Sequence, residues 1–202
     1  MTIPHPQPHG IGEPSDWVIR FAHLIPSNGT VLDVACGQGR HARYLSGRGH
    51  RVSALDRDPE ALRVLGSQSG IDVHCADIES GPWPFPDGNF DALVVTNYLH
   101  RPLFPVLFAA LRSGGVLIYE TFARGNEFHG RPANPDFLLT PGELLEQLPG
   151  NFVVAAFEQG TISSPKPAVI QRLCAIRADT LLYKISPWKG RSRETGWDKI
   201  EH

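Results

Sequence analysis

Two closely spaced glycines and one acidic residue mark the part of the sequence best suited to chemistry. Gly37 and Gly39 follow an apolar stretch that predicts a strand over residues 31–35, and a helix is predicted to begin directly after them. Asp33 lies inside the strand itself. Glycines at a strand-to-helix turn let the backbone approach a ligand and leave the first amide groups of the helix open to it. The pattern therefore predicts a ligand-binding turn.

The class of ligand depends on Asp33. A dinucleotide-binding fingerprint needs a third glycine, for which Ala42 is a tolerable substitute, and an acid ending the second strand, which Asp56 supplies. An acid inside the first strand has no use in a site that must hold a pyrophosphate, but it suits a ligand with a free ammonium group. Asp33 therefore favours an amino-bearing ligand over NAD.

The elements around this turn alternate between strands and helices, which indicates a parallel sheet with helices on both faces. A later helix is predicted to begin with a capping box from Thr140 to Glu143, and two final strands are too close for a helical crossover and should pair antiparallel. The fold class is therefore α/β, a Rossmann-like, doubly wound, mostly parallel seven-stranded sheet with a C-terminal antiparallel hairpin. The predicted strands are 31–35, 51–56, 71–75, 91–96, 115–121, 152–158 and 168–177, and the predicted helices are 15–26, 40–48, 59–68, 103–112 and 141–148.

The segment from Asp33 to Gly39 resembles motif I of the class I S-adenosylmethionine (SAM)-dependent methyltransferases, which usually reads acid-x-Gly-x-Gly-x-Gly. The resemblance covers about residues 14–178 in the expected element order, including the closing hairpin that separates this fold from the NAD-binding one. Ala35 stands at the first glycine position, a mild departure that restricts the turn slightly. The stretch from Glu120 through the capping box is also similar to a subgroup near the tellurite-resistance methyltransferases, which act on small, soft nucleophiles.

The resemblance implies SAM as cofactor and assigns residues to its parts. Asp56 would accept hydrogen bonds from the ribose hydroxyls, and the next residue, Arg57, belongs to the same predicted cofactor site. Asp77 would take the exocyclic amine of adenine, and the backbone of Ile78 the ring nitrogen. The residues implied at the methionine end are Asp33, the backbone floor of Ala35, Gly37 and Gly39, Arg40 near the carboxylate, and Asn97.

Each acid also has a simpler interpretation. Asp33 would only cap a helix or a turn, Asp56 would be the Asx residue of the turn before Pro59, and Asp77 would be a solvated loop acid. Three acids ending three successive buried strands are less easily explained as coincidence than any one of them. Together they favour SAM binding.

Residues on the acceptor side should follow the fourth and fifth strands. His100 is a candidate general base, with a helix-start histidine as the simpler interpretation. The long loop after residue 121 carries Arg124 and His129, which suit a polar or anionic acceptor unless the loop is merely solvated. Residues 96–102 lack the Asn/Asp-Pro-Pro-aromatic pattern of methyltransferases that act on exocyclic or amide nitrogens, which disfavours those acceptors.

Composition limits the alternatives. The 202 residues suit one domain, and a net charge of −2 disfavours a protein that coats nucleic acid. No apolar run is long enough for a membrane span, no secretory signal is visible, and three cysteines without metal-ligand spacing indicate a reduced, cytoplasmic protein with no metal site. We expect a flexible segment over residues 1–13, the methyltransferase domain over 14–185 and a polar tail over 186–202.

The leading hypothesis is a methyltransferase with a small-molecule acceptor and no membrane partner, with its oligomeric state left open. An RNA nucleoside acceptor is the first alternative, because the basic tail carries Trp188 and Trp197, which could stack on bases. A SAM-binding regulatory protein without turnover is the second. An NAD-dependent oxidoreductase is disfavoured by Asp33 and by the terminal hairpin.

Overall fold

A single mixed sheet organises the chain. The computed structural model describes residues 12–63, 65–66 and 68–178. Its seven strands lie in the order β3-β2-β1-β4-β5-β7-β6. They are β1 (Thr30–Val34), β2 (Arg51–Asp56), β3 (Ile71–Cys75), β4 (Phe90–Thr96), β5 (Leu111–Phe122), β6 (Phe152–Ile162) and β7 (Ala168–Arg177).

Strand direction confirms the predicted architecture. The first five strands pair in parallel, and the order turns outward in both directions from β1 and β4. The final strand β7 inserts antiparallel between β5 and β6. The sheet is therefore doubly wound with a C-terminal antiparallel hairpin, and the carboxyl ends of β1 and β4 meet at the point where strand order reverses, where such sheets bind ligands.

Helices cover both faces of the sheet. They are α1 (Asp16–Phe21), α2 (Arg40–Gly47), α3 (Pro59–Arg63), α4 (Phe104–Ala110) and α5 (Glu143–Glu146). Alternate residues of the central strands feed two separate apolar clusters. Leu93 and Val95 of β4 belong to the cluster that contains Phe104 and Leu107 of α4, whereas Val94 belongs to the one that contains Trp17 of α1. This period-two pattern produces the three-layer arrangement.

Two helix starts are capped by the side chain that precedes them. The Trp17 N–H donates to Oγ of Ser15 at 3.1 Å, and the Glu60 N–H donates to Oδ1 of Asp58 at 2.9 Å. Pro59 is the first residue of α3, where its missing N–H costs nothing. The predicted helix over 59–68 ends earlier, at Arg63, and residues 64 and 67 lie outside the described part.

Further predicted boundaries are wrong, including the start of the strand expected over 115–121, which lies at Leu111. The helix expected over 103–112 is a 3-10 turn followed by α4, because β5 begins at Leu111 and pairs there with Phe90. β6 extends to Ile162 rather than ending at residue 158. The helix expected over 141–148 shortens to α5, because Gly142 adopts φ +77° and is not helical.

The longest helix of the described part, α2, has only eight residues, far short of what a bilayer crossing requires. Residues 1–11 and 179–202, with most of the predicted leading segment and all of the predicted tail including Trp188 and Trp197, lie outside the described residues.

Candidate functional site

The turn between β1 and α2 is held in a left-handed backbone conformation. Ala35, Gly37 and Gly39 have φ values of +51°, +54° and +75°. Glycine adopts this region without a steric penalty, whereas Ala35 pays a modest one, which fits its place as the departure from the usual motif. Gly39 is also the N-cap of α2 and supplies no side-chain cap itself.

A first cavity, cavity A, lies beside this turn beyond the carboxyl ends of β2 and β3. Its volume is about 210 Å³. It brings together the residues assigned to the ribose and adenine, which the sequence places more than twenty positions apart. The lining residues are Ala35, Leu55, Asp56, Arg57, Ala76, Asp77, Ile78, Glu79 and Tyr98.

A second cavity, cavity B, lies on the other side of Ala35, which lines both. Its volume is about 310 Å³. It contains three more of the predicted residues, Gly37, Arg40 and Asn97. The other lining residues are Gly12, Cys36, Gln38, His41 and Thr96. The two cavities together form an elongated site that crosses the carboxyl edge of the sheet at the glycine turn.

Asp56 forms the predicted Asx turn and also lines cavity A. Its Oδ2 accepts the Gly37 N–H at 2.7 Å, and its Oδ1 accepts the Asp58 N–H at 2.9 Å, which is the Asx turn. Each carboxylate oxygen has a second lone pair, and the side chain lines cavity A. Asp56 therefore secures the glycine turn and still presents acceptors to the cavity.

Asp77 is arranged in a similar way. Its oxygens accept from the Ser80 hydroxyl at 2.8 Å and from the Glu79 N–H at 3.0 Å. These hydrogen bonds lower the pKa of Asp77, so the group is an anion at neutral pH. Next to it, the Ile78 N–H has no acceptor among the backbone hydrogen bonds of the described residues, which leaves it available to a ligand.

Asp33 and Gly39 lie outside both linings. Asp33 is 1% exposed, and its Oδ2 accepts the Ala42 N–H of α2 at 2.9 Å, as in the capping interpretation. Burial raises the pKa of Asp33 to about 7. A Cβ on Gly39 would collide with the Leu65 side chain, so the absence of a side chain there serves packing.

Sequence reasoning missed two residues of each cavity that matter chemically. In cavity A, Glu79 lies beside Tyr98, and burial together with that carboxylate raises the pKa of the Tyr98 hydroxyl. In cavity B, His41 hydrogen-bonds to Thr96. Position alone could have found Thr96, which ends a buried strand directly before Asn97. A histidine in the first turn of a helix carries no such signal.

The acceptor-side candidates are not brought together. Arg124 lines a cleft of about 440 Å³, cleft C, at the carboxyl ends of β4 and β5. His100 and His129 are absent from that lining, and His100 directly precedes a 3-10 turn, as in its simpler interpretation. The lining of cleft C is Arg101, Arg124, Pro135, Asp136, Thr140, Glu143, Glu146 and Gln147.

The two arginines that line cleft C differ in whether their guanidinium groups have partners. The Arg101 guanidinium is engaged by the carboxylate of Glu143 and by the carbonyls of Asp136 and Leu138. Burial raises the pKa of Glu143, but hydrogen bonds from Arg101 and Thr140 outweigh it and lower the pKa overall. Arg124 makes no side-chain hydrogen bond or ion pair within the described part of the chain, so its charge is available to a ligand.

The donor set of cavities A and B fits SAM. Carboxylates suit ribose hydroxyls and an exocyclic amine, the Ile78 N–H has no backbone acceptor within the described residues, and Arg40 is a cation for the carboxylate. A Cβ on Gly37 would meet no atom within 4 Å, so the turn leaves room for a ligand there.

Comparisons with known proteins bear on the type of domain. Residues 31–115 match the model of a family described as "Methyltransferase domain". A malonyl-[acyl-carrier protein] O-methyltransferase of Serratia marcescens is 35% identical over 100 residues, covering 48% of this chain and 39% of that protein. A tRNA U34 carboxymethyltransferase of Shewanella loihica is 31% identical over 156 residues, covering 67% of this chain and 44% of that protein. The chain thus spans less than half the length of these relatives.

Solved structures with the same fold include TehB from Haemophilus influenzae, with a TM-score of 0.67, 19% identity, and coverage of 79% of this chain and 61% of that one. The 1,6-didemethyltoxoflavin-N1-methyltransferase of Burkholderia thailandensis, solved with S-adenosylhomocysteine bound, has a TM-score of 0.60, 21% identity, and coverage of 81% and 76%. The predicted family is confirmed at the level of the domain: residues 31–115 carry a methyltransferase domain, and the chain has the fold of a methyltransferase solved with S-adenosylhomocysteine.

Proposed function

We propose that this protein transfers a methyl group from SAM to a small-molecule acceptor that carries a polar or anionic group. The observation that carries the proposal is the continuity of cavities A and B through Ala35, together with a cleft C lined by Arg101 and Arg124, which follow β4 and β5. Cavities A and B receive the two ends of the cofactor, and cleft C receives the acceptor.

The chain's own residues bind and orient. Asp56 would hold the ribose, and Asp77 with the Ile78 N–H would hold the adenine. Arg40 would attract the carboxylate in cavity B, with Asn97 beside it. When bound, SAM supplies an activated sulfonium methyl that an acceptor takes by in-line displacement. Orientation and exclusion of water are then the protein's main contributions, and no general base is required unless the acceptor must lose a proton.

Arg124 is the residue on which the acceptor class rests. It follows β5, lines cleft C and has its guanidinium charge unengaged within the described residues. A guanidinium in this position favours an acceptor with a carboxylate, phosphate or phenolate group. His100 and His129 do not line cleft C, so neither is placed there to act as a general base. Methyl transfer to an acceptor that is held in position, without a general base, is therefore the simpler mechanism.

Calorimetric titration with SAM, with NAD as the control ligand, tests the cofactor. We expect micromolar SAM binding and no NAD binding. Release of S-adenosylhomocysteine is then measured with a panel of anionic, neutral and cationic small molecules. SAM binding without turnover on any of them, or on RNA, would favour the regulatory alternative.

Arg124→Ala, with Arg131→Ala as the matched control, tests the acceptor site. Arg131 lies on the same exposed loop but does not line cleft C. With an anionic acceptor, Arg124→Ala should raise the KM for the acceptor about tenfold or more without changing the affinity for SAM, because it removes a charge-assisted hydrogen bond. Equal effects of the two substitutions would contradict the placement of the acceptor in cleft C.

An RNA acceptor is the second candidate. It is favoured by the match to a tRNA U34 carboxymethyltransferase over 67% of this chain. Phe128, 86% exposed on the loop that carries Arg124, offers a ring on which a base could stack. Retention on single-stranded RNA that falls steeply with salt would support this candidate, and salt-independent or absent retention would exclude it.

A further inference from the structure

His41 is a buried polar side chain between three elements of the site. It lies in the first turn of α2, is 1% exposed and lines cavity B. The start of α1 contacts one ring nitrogen and the end of β4 contacts the other. Both nitrogens are therefore used inside the protein, so His41 can act on a ligand only through its neighbours.

The contact with α1 determines which nitrogen carries the proton. The Ser15 backbone N–H donates to Nε2 of His41 at 3.1 Å. A backbone N–H is only a donor, so Nε2 must present a lone pair. Burial and the charge of Arg40 lower the pKa of His41 to about 3, so the ring is neutral. A neutral imidazole with a free Nε2 carries its single proton on Nδ1.

The Nδ1 proton then determines the role of Thr96. Nδ1 lies 3.3 Å from Oγ1 of Thr96, so the threonine oxygen accepts this hydrogen bond. The hydroxyl proton of Thr96 is left to donate elsewhere, and Thr96 also lines cavity B. The hydroxyl has no second hydrogen-bond partner within the described residues. An oriented donor therefore faces the cavity that also contains the cationic Arg40.

We propose that His41 is a positioning residue that fixes the Thr96 hydroxyl as a hydrogen-bond donor to the carboxylate of the cofactor's amino-acid end. The inference rests on the proposed function, since it assigns that end of SAM to cavity B. An anionic group is the ligand that a hydroxyl donor and a guanidinium together select.

The proton on Nδ1 also depends on the docking of α1. The Ser15 hydroxyl donates to Oε1 of Glu120 at 2.8 Å and accepts the Trp17 N–H. Glu120 is in turn paired with Arg172, whose guanidinium lies 4.7 Å from the centre of the Trp17 ring. These contacts hold the Ser15 N–H over the imidazole. The start of α1 therefore sets the donor in cavity B, although it lines no part of it.

Two ligands separate this role from general binding. SAM carries the carboxylate, whereas 5′-methylthioadenosine has the same adenosine and lacks the amino-acid end. Thr96→Val should weaken SAM about tenfold and leave 5′-methylthioadenosine unchanged, because it removes one hydrogen bond to a charged group. Thr96→Ser should restore SAM binding. His41→Leu should resemble Thr96→Val, and His41→Asn, whose amide can still donate to Thr96, should bind SAM close to the wild-type level.

Nitrogen NMR of His41 in the wild-type protein gives a second readout that needs no turnover. We expect the Nδ1–H tautomer at neutral pH, with and without SAM. Observation of the Nε2–H tautomer, or SAM affinity unchanged in Thr96→Val, would overturn the inference while leaving the proposed function intact. If the wild-type protein binds no SAM although His41 has the expected tautomer, the proposed function fails instead.

Discussion

Asp56 shows how one side chain serves both the fold and the ligand. Its two oxygens hold the Gly37 and Asp58 N–H groups, which closes the glycine turn against β2. The same side chain lines cavity A. Loss of the carboxylate therefore removes the proposed ribose contacts and loosens the turn beneath them.

Replacement of Asp56 by alanine should weaken SAM binding by about 1–3 kcal/mol, because charge-assisted hydrogen bonds are lost. Asp58→Ala is the matched control, since Asp58 caps α3 through the Glu60 N–H and lines neither cavity. It should cost about 1 kcal/mol of stability and leave SAM affinity unchanged. Calorimetric titration and urea unfolding of both variants check this, and unchanged affinity in Asp56→Ala would refute the ribose assignment.

The acidic residues near the site could be predicted from the sequence, but the buried histidine that contacts α1 and β4 could not. Asp33, Asp56 and Asp77 each belong to or follow an apolar strand, so strand order alone brings them to one edge. His41 has no comparable pattern, because a single histidine between Arg40 and Ala42 in a predicted helix matches no binding motif. The contact that defines it reaches Ser15, 26 positions earlier in the chain.

At the scale of elements, the turn into α2 contains two glycines with different roles. Gly37 has open space around the position of a Cβ and lines cavity B. Gly39 is pressed against Leu65. Both have positive φ, so alanine is strained at either position.

The two alanine substitutions should separate binding from stability. Gly37→Ala should cost about 1 kcal/mol of stability through backbone strain and should weaken SAM binding, because its methyl group enters cavity B. Gly39→Ala should cost about 1–3 kcal/mol more than Gly37→Ala through overpacking against Leu65, with SAM affinity retained by the folded protein. Urea unfolding and calorimetry measure both effects. Equal losses of stability would show that the packing around Gly39 relaxes.

Element prediction succeeded where one local signal dominated. β3 and β7 have the predicted bounds: apolar and polar residues alternate in β3 after Gly70, and β7 begins directly after Pro167. The capping box before α5 was only half correct. The Glu143 carboxylate accepts the Thr140 N–H at 2.8 Å as expected, but the Thr140 hydroxyl also donates to that carboxylate instead of capping the helix. The ion pair of Glu143 with Arg101, 42 positions away, favours this arrangement.

At the scale of the whole molecule, two buried groups have opposite effects on the pH dependence of stability. Burial raises the pKa of Asp33 from 3.8 to about 7, so its contribution is full below pH 3.8 and is lost as pH rises to about 7. Burial lowers the pKa of His41 from 6.5 to about 3, so its contribution is full above pH 6.5 and is lost as pH falls. The two slopes oppose each other between pH 3.8 and 6.5.

Removing the ionisable side chain of Asp33 or of His41 should reveal the pH dependence of stability that the other one causes. Relative to the wild type, the free energy of unfolding of Asp33→Asn should rise with pH across this window by up to about 1.4 kcal/mol per pH unit. That of His41→Asn should fall with pH by a similar amount, and the double variant should regain the wild-type slope. Urea unfolding at several pH values checks this, and parallel curves for all the variants would contradict the pKa shifts.

The sequence by itself determined the order of elements, the glycine turn after the first strand and the acids within or after successive strands, because these follow from local apolar periodicity and from the conformational range of glycine. Only the tertiary structure decided that Ala35 joins two cavities, that Arg124 and not the histidines lines cleft C, and that His41 connects Ser15 with Thr96. The physical reason is that the deciding contacts join residues that are far apart in the sequence. Contacts such as Ser15 with Glu120 join residues 105 positions apart, and strand register and helix docking set them.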